Sequence, residues 1–372
     1  MNPGSGDFAR DVYALFGLPI DNLTIEATKR LLREKIEQDG VTVWSTVNVN
    51  WVVQSLKDKQ FYNAILDSDI VTLDGKPLLW LTRLLGYPMR ETVPGSTLIQ
   101  ELLEEKTDKP VTIFLFGGEE GAAELAMERI NRQQGGLKAV GALNPGFGTV
   151  EEMSTNAIIT AINRTKPDIL LVALGAKKGT QWIEYNRHRL DAKIVSHLGA
   201  TVNFLAGTVM RAPKFFRTTG LEWVWRILQE PKLFLRYAGD GLVMLKLLTG
   251  RVFLWKQYRG LHKWFIQRPV DDHIIRQDHS DTTVFVFGQN LQAPAGASIR
   301  WMLADAVQTG KNITLDFARA EYVDGGFLAL LLLLHRQLEK SGNRLTCTNV
   351  SGRLVKLFRL FSIPEEMLDT RI

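Results

Sequence analysis

The chain lacks the features that mark secreted, disulfide-stapled and membrane-spanning proteins. It has one cysteine in 372 residues, Cys347, which excludes an internal disulfide and a cysteine-based metal site. Its first twenty residues carry Asp7 and Asp11 and have no continuous apolar core, so we expect no signal peptide. No uncharged apolar run approaches the roughly 18 residues that a spanning helix needs. We therefore expect a cytoplasmic protein.

Common catalytic and metal-binding motifs are also missing. The six histidines show no H-x-x-x-H or H-E pairing, so we interpret them as surface or packing residues and expect no metal. The glycine-rich turn at 117–121 matches neither a dinucleotide fingerprint nor a Walker A loop, and there is no G-x-S-x-G elbow. These absences disfavour a dehydrogenase, a P-loop enzyme and a serine hydrolase.

What is present is the pattern of an α/β protein. Hydrophobic residues make up 45% of the chain and charged residues 23%, which is typical of soluble proteins with a proper core. Short apolar runs alternate with amphipathic stretches, which predicts a Rossmann-like, mostly parallel sheet with helices on both faces. The expected strands are 41–47, 70–73, 111–116, 138–142, 169–174 and 193–197.

Composition divides the chain into three predicted domains. Residues 1–210 carry the α/β pattern. Residues 211–270 hold four of the nine tryptophans and twelve Lys/Arg against three acidic residues, which predicts a basic, aromatic, helical appendage. A polar linker is predicted at 269–281, and 271–372 reads as a small α/β domain.

Small, polar or acidic residues follow the predicted strands of the first domain. In an open parallel sheet, ligands bind outside the carboxyl ends of the strands, so these residues outline one crevice. The alternative is that each makes only a turn. The candidates are Thr46, Asn48, Asp74, Gly75, Gly117, Gly118 and Gly175.

Asp74 is the strongest candidate for chemistry. It follows an apolar strand directly, where a carboxylate can deprotonate an attacking hydroxyl as general base. Its alternative role is to form the turn or cap before the next helix. Thr46 and Asn48 can share one face to bind a sugar or phosphate, or can cap the end of their strand.

Residues from about 16 to 248 resemble the WecG/TagA/CpsF family of bacterial glycosyltransferases. The order and spacing of several blocks agree with that family. These blocks are FGLPID (16–21), STVN (45–48), TLDGKPLLWLTRLLG (72–86), VPGS (93–96), FLFGG (114–118), PDILLVALGAKK (167–178), NFLAGTVMRAP (203–213) and GLEWVWRILQEPKLFLRY (220–237).

The resemblance implies an inverting, metal-independent transfer of an N-acetylhexosamine-type sugar, N-acetylmannosamine being the best-known case. The donor would be a UDP-sugar and the acceptor a polyprenyl-diphosphate-linked sugar, with no further cofactor. The family's base falls on Asp74 and its Thr-x-Asn pair on Thr46 and Asn48. Arg83 matches an arginine that could neutralise a diphosphate.

Two departures from the family pattern concern substrate contacts. The family commonly reads G-A-P-K-Q-E-x-W where this chain has GAKKGTQW at 175–182, so Gly179 and Thr180 replace the expected Gln and Glu. Asn203 replaces an expected Asp. Lys178 could contact a diphosphate, or could simply be a solvated residue at a helix start.

The last 100 residues resemble a STAS domain, the module of sulfate transporters and anti-sigma antagonists. The matching segments are 313–342 and 344–363. Regulatory members carry a phosphorylatable Ser or Thr after the Asp that corresponds to Asp324, but here Gly325 follows, so we expect no such switch.

The basic, aromatic segment suits the headgroup region of an anionic membrane, where a lipid-linked acceptor would be held. The alternative is an appendage packed on the catalytic domain with a solvated basic face. No nucleic-acid motif accompanies the segment, so we expect no nucleic-acid partner.

Together these features predict a glycosyltransferase peripheral on the inner face of the cell membrane, acting in exopolysaccharide or cell-envelope polysaccharide synthesis. Because of the two departures, the alternative is a catalytically weakened scaffold that recruits polysaccharide enzymes through its STAS-like domain.

Overall fold

The computed structural model describes residues 7–267, 274–294 and 297–369. The chain divides into two compact units. The first, the sheet unit, comprises Leu23–Trp80 and Arg90–Gly241. The second, the STAS unit, comprises the residues up to Asn22, Leu81–Met89 and the residues from Leu242 onward. The boundary at 241/242 falls within the predicted appendage, and the predicted limits 1–210, 211–270 and 271–372 stay predictions.

The strands are numbered in chain order. They are β1 (Val12–Leu15), β2 (Leu18–Asp21), β3 (Thr42–Val47), β4 (Ile70–Leu73), β5 (Val111–Gly117), β6 (Leu137–Leu143), β7 (Ile169–Ala173), β8 (Ile194–His197), β9 (Ile275–Asp278), β10 (Thr282–Val286), β11 (Asn290–Leu291), β12 (Asn312–Asp316), β13 (Tyr322–Val323) and β14 (Leu345–Thr348).

The α-helices are numbered in the same way. They are α1 (Ile25–Ile36), α2 (Val49–Ser55), α3 (Lys59–Leu66), α4 (Lys76–Leu85), α5 (Gly95–Glu104), α6 (Ala122–Gln133), α7 (Asn156–Asn163), α8 (Ala176–Asn186), α9 (Thr201–Ala206), α10 (Lys214–Thr219), α11 (Glu222–Gln229), α12 (Phe234–Leu247), α13 (Phe253–Leu261), α14 (Lys263–Ile266), α15 (Ser298–Gln308), α16 (Gly325–Lys340) and α17 (Gly352–Leu360). A π-helical turn, Leu248–Val252, joins α12 to α13.

The sheet unit is built on one parallel sheet in the order β4-β3-β8-β7-β5-β6. Its strands read as nearly continuous apolar runs because both faces are covered. One face carries Trp44, Leu115 and Leu171. The other face carries Phe116 and Val172, with Trp182 of α8 packed against Phe116 at 4.5 Å between ring centroids. The predicted Rossmann-like fold class is confirmed.

The STAS unit contains a second, mostly parallel sheet in the order β14-β12-β10-β9. Strands β10, β12 and β14 alternate with α15, α16 and α17, as the sequence predicts for the small α/β domain. The predicted linker is wrong in part: Ile275–Asp278 forms β9, antiparallel to β10, while residues 269–273 lie outside the described residues. Polar edge strands resemble linkers in sequence because only one of their faces contacts the core.

Part of the predicted appendage forms the core of the STAS unit. Trp255 is 1% exposed, and its Nε1 donates to the Leu85 carbonyl at 2.9 Å. The Tyr258 ring stacks on Tyr322 at 5.6 Å, and its hydroxyl accepts from the Val323 backbone N–H at 2.9 Å. These aromatic residues therefore pack within the STAS unit.

Within the described residues, no helix has both the length and the apolar character required to cross a membrane.

Candidate functional site

The carboxyl ends of the parallel strands meet at one edge of the sheet unit. The strand order places the segment after β4 beside the end of β3, then the ends of β8, β7 and β5. The residues at these ends are Asp74, Asn48, His197, Gly175 and Gly117, in that spatial order. The sheet therefore brings together most of the residues that the sequence singled out.

Strand register puts Thr46, Asn48 and Asp74 on the same face. Thr46 pairs with Thr72 of β4, and the Asp74 backbone N–H continues the ladder by donating to the Val47 carbonyl at 2.7 Å. Because side chains alternate between faces, Asn48 and Asp74, each two residues further on, share the face of this pair. The predicted base and the predicted Thr-x-Asn pair therefore lie on one face at neighbouring strand ends.

Asp74 is partly exposed, and its carboxyl group has a pKa far from the ordinary value of an aspartate. Burial raises its pKa from 3.8 to about 7; the negative charge of Glu222 adds to this shift and the positive charge of Arg211 opposes it. A carboxylate with this pKa gains a proton readily near neutral pH, which suits a general base.

The start of the appendage supplies cations that the sequence analysis did not assign to the site. Arg211 donates to Thr97 Oγ1, and burial lowers its pKa, with Arg217 as a like charge beside it. Arg217 Nε is buried and has no hydrogen-bond partner among the described residues. The family-like block at 203–213 contains Arg211, but only the fold shows that it acts on Asp74.

A glycine cluster marks the point where the strand connections diverge. The chain leaves β5 towards β6 and leaves β7 in the opposite direction, towards β8, and ligands of open α/β sheets bind at such a point. Gly117 has φ +91°, and a Cβ there would lie 2.6 Å from the Ala173 carbonyl oxygen. Only glycine allows these two strand ends to come so close.

Asn203 faces this glycine cluster. Its Oδ1 is buried, has no hydrogen-bond partner among the described residues, and lies 3.6 Å from where a Cβ on Gly118 would be. A buried acceptor without a donor is costly unless a ligand or water supplies one. Asn203, Gly118 and Gly175 are therefore well placed to contact a ligand at this crevice.

Two other candidates are engaged in contacts within the protein. Asn48 Oδ1 accepts from the Trp51 backbone N–H at 3.2 Å, so Asn48 caps the start of α2, and its contact with a sugar or phosphate stays a prediction. Lys178 Nζ donates to the Gly148 carbonyl at 2.9 Å, and its contact with a diphosphate stays a prediction. The neighbouring Lys177 forms an ion pair with Asp58 at 2.7 Å.

Gly75 and Arg83 belong to the segment that follows β4. Gly75 has φ +98°, which favours glycine at the sharp turn from the strand into α4. Arg83 is exposed in the last turn of α4 and belongs to the STAS unit. Its role towards a diphosphate stays a prediction.

Among the described residues, no three His, Cys, Asp or Glu side chains are grouped closely enough to hold a metal ion.

Known proteins resemble the chain in both of its parts. The family described as "Glycosyl transferase WecG/TagA/CpsF family" matches residues 13–257, and the family described as "Mlab, STAS domain" matches residues 282–369. An N-acetylglucosaminyldiphosphoundecaprenol N-acetyl-beta-D-mannosaminyltransferase of Bacillus subtilis is 25% identical over 65% of this chain and 90% of its own length. A protein of the same description from Bacillus spizizenii is 29% identical over 46% of this chain and 65% of its own length. Another from Staphylococcus aureus is 23% identical over 64% of this chain and 92% of its own length.

Proposed function

Since the chain belongs to the WecG/TagA/CpsF family of glycosyl transferases, we propose that it transfers an N-acetylhexosamine-type sugar from a UDP-sugar to a polyprenyl-diphosphate-linked acceptor. The transferred sugar resembles N-acetylmannosamine, and the product enters exopolysaccharide or cell-envelope polysaccharide synthesis. The observation that carries this proposal is Asp74, whose carboxyl group has a raised pKa at the carboxyl edge of the sheet.

The reaction inverts the anomeric carbon in one displacement. The acceptor hydroxyl attacks that carbon from the face opposite the diphosphate, and its proton passes to the Asp74 carboxylate. The new C–O bond forms as the bond to the UDP oxygen breaks, and UDP leaves with the electron pair. Thr46, on the same face as Asp74, positions the reacting sugars.

The leaving diphosphate needs positive charge and backbone donors. Arg217, with its buried and unpartnered Nε, is suited to bind an anion in the sheet unit, and Arg211 lies within electrostatic reach of it. Donors preorganised in this way stabilise charge that develops in the transition state. The crevice at Gly117 and Gly118, where the strand connections diverge, accommodates the nucleotide.

The appendage residues that belong to the sheet unit, 211–241, favour binding to a membrane surface. Phe215, Leu228 and Leu235 are exposed by 65%, 66% and 80%, and basic side chains such as Lys214 and Lys232 are exposed with them. Apolar side chains partition into the headgroup boundary, and each basic residue near anionic lipid contributes about 1 kcal/mol. We infer peripheral binding to the inner face of the cell membrane.

The STAS-recruitment alternative has less support. A Cβ at Gly325, the first residue of α16, would lie 2.5 Å from the Tyr87 hydroxyl oxygen, and Tyr87 also donates to the Ala14 carbonyl at 2.8 Å. The face of the STAS-like domain next to Asp324 is therefore covered by this chain's own residues, which disfavours recruitment of another protein at that face.

A donor screen tests the activity. With a polyprenyl-diphosphate-linked N-acetylglucosamine acceptor, we expect transfer from UDP-N-acetylhexosamines to exceed transfer from UDP-hexoses by about tenfold or more, because a site built to hydrogen-bond an acetamido group rejects donors without it. Product is measured by mass spectrometry, with acceptor-free reactions as the control. If no UDP-sugar is turned over and calorimetry detects no UDP binding, the proposed activity is wrong.

Vesicle flotation tests the membrane role. We expect the chain to float with vesicles of phosphatidylglycerol and phosphatidylethanolamine, and the combined variant Phe215→Ser, Leu228→Ser, Leu235→Ser to bind about tenfold or more weakly. The matched control is Phe147→Ser, since Phe147 is fully exposed on a loop outside the appendage. Equal flotation of both variants would rule out these appendage residues as the contact.

A further inference from the structure

The sheet unit contains a cavity of about 350 Å³ that the proposed reaction does not use. Its described lining residues all lie on three helices, α5, α6 and α9, and none of them follows a strand end directly. Leu103, Ile130 and Leu205 are buried and form the apolar part of its wall. Small-molecule sites usually have volumes of about 300–1,000 Å³, so the cavity is large enough for a small ligand or a headgroup.

Arginines and glutamines form the polar part of the wall. Arg129, Arg132 and Gln133 lie three or four residues apart on α6 and so share one face of this helix, and Gln100 of α5 completes the wall. Arg132 forms an ion pair with Glu128 at 2.5 Å. Arg129 has no ion pair or hydrogen bond among the described residues. The cavity therefore offers one guanidinium group that has no carboxylate partner.

The Arg129 guanidinium packs against the end of α9. A Cβ built on Gly207, the residue that follows α9, would lie 2.8 Å from Arg129 Cζ and closer still to Nη1. The guanidinium thus occupies the space beside this glycine, where a side chain would displace it. An arginine presents its N–H donors in a planar fork, which matches two oxygens of a phosphate group.

The groups around the cavity fit a phosphate diester. A diester carries one negative charge, which matches the single unpaired guanidinium of Arg129. The Gln100 side chain donates to Glu104 at 2.6 Å, which leaves its Oε1 to accept from a hydroxyl group beside the phosphate. The apolar wall can cover the hydrocarbon part of such a ligand. A phosphodiester flanked by glycerol hydroxyls and attached to apolar chains has all of these features.

The position of the cavity favours a lipid as the source of this diester. Phe204 lines the cavity, and the Arg226 guanidinium of α11 lies over the Phe204 ring at 5.7 Å from its centroid. The same helix carries Leu228, one of the exposed residues assigned above to membrane contact. We propose that the cavity binds the headgroup of phosphatidylglycerol, with Arg129 bound to its phosphate. The choice of a lipid rests on the membrane role inferred above.

Calorimetry with dihexanoyl phosphatidylglycerol, a water-soluble short-chain lipid, tests the site in the full-length chain. We expect Arg129→Ala to weaken binding by about 10- to 100-fold, the usual loss for a hydrogen bond to a charged group. The matched control is Arg30→Ala, which removes an exposed arginine on α1 and should leave binding unchanged. If wild-type protein binds no such lipid, or Arg129→Ala binds it as tightly as wild type, the assignment is wrong.

Two further probes identify the ligand chemistry. Dihexanoyl phosphatidylcholine keeps the diester but replaces the glycerol hydroxyls with a cation, so it should bind at least about tenfold more weakly. Inorganic phosphate lacks the apolar part and should also bind more weakly. Equal binding of phosphatidylcholine would overturn the headgroup assignment, and equal binding of inorganic phosphate would show a site for free phosphate instead of a lipid.

The combined appendage variant separates the cavity from the membrane role. With Phe215, Leu228 and Leu235 all changed to Ser, the chain should lose vesicle binding but bind the short-chain lipid like wild type. Loss of short-chain lipid binding in this variant would place the lipid on the appendage and overturn the cavity assignment. If wild-type protein binds the short-chain lipid but does not float with vesicles, the membrane role fails and the cavity assignment stands.

Discussion

Replacing Asp74 with Asn should lower kcat for sugar transfer by about 10²- to 10⁴-fold, the usual contribution of a positioned general base. The amide keeps the size of the side chain but cannot accept the proton of the attacking hydroxyl. We expect KM for the donor to change little, because the base acts mainly as the new bond forms. Turnover is measured with the donor and lipid-linked acceptor that the screen identifies.

The pH dependence gives the same prediction a second readout. With a pKa of about 7, Asp74 becomes an effective base as the pH rises through neutrality, so kcat/KM should increase across that range. The matched variant is Glu222→Gln, which removes the charge that raises this pKa and should move the rise to lower pH with kcat at high pH retained. Near-normal turnover of Asp74→Asn, or an unmoved profile in Glu222→Gln, would contradict the base role.

A measurement of stability shows whether the Asp74→Asn variant still folds. The carboxyl pKa is raised from 3.8 in the unfolded chain to about 7 in the folded one, so the folded state binds more protons between these values. The stabilisation is present below pH 3.8 and is lost as the pH rises through 7. At pH 8 the free energy of unfolding of Asp74→Asn should therefore exceed that of wild type by about 1–2 kcal/mol, after allowance for the partial exposure of this residue. Unfolding by urea at pH 8 measures this difference.

Replacing Trp255 with Ala should destabilise the STAS unit by about 3–5 kcal/mol, the range for deleting a large, fully buried aromatic side chain. Trp255 is 1% exposed, contacts the Phe361 ring at 4.9 Å between centroids, and donates to the Leu85 carbonyl. The substitution leaves a cavity and removes one of the two hydrogen bonds that the Leu85 carbonyl accepts, the other coming from Arg259. Hydrogen exchange of the α16 amides at increasing urea concentration measures the loss in the free energy of unfolding of the STAS unit.

Trp264 is the matched control for this prediction. It lies in the same basic, aromatic segment but is 54% exposed, so Trp264→Ala should change stability by no more than about 0.5 kcal/mol. Equal small effects at both positions would contradict the packing of Trp255, and equal large effects would show that exposure does not distinguish the two tryptophans.

The strands and helices were largely predictable because their signals are local. Apolar runs such as 169–174 identify strands buried on both faces, and amphipathic stretches identify the helices that cover them. The hairpin β1–β2 and strand β9 were missed for a physical reason. Their pairing partners, not their own periodicity, decide that they are strands.

The appendage shows where composition is insufficient. The same mixture of Trp, Tyr, Lys and Arg contains Trp255, which is buried, and Phe215, which is exposed. Helical periodicity states which residues share a face, but not which neighbour covers that face. Only the tertiary structure therefore shows which residues of the appendage are buried.

The sequence by itself determined the α/β class, the STAS-like module, the family resemblance and Asp74 at the end of a buried strand. The class and the position of Asp74 follow from short-range periodicity, and the module and the family follow from the resemblance of sequence blocks to known families. Only the tertiary structure decided that burial and the charge of Glu222 raise the pKa of Asp74 against the charge of Arg211, that Lys178 binds a backbone carbonyl, and that the His197 ring occupies the space beside Gly179. Electrostatic and packing effects depend on distance in space, and chain folding brings together residues that lie far apart in sequence.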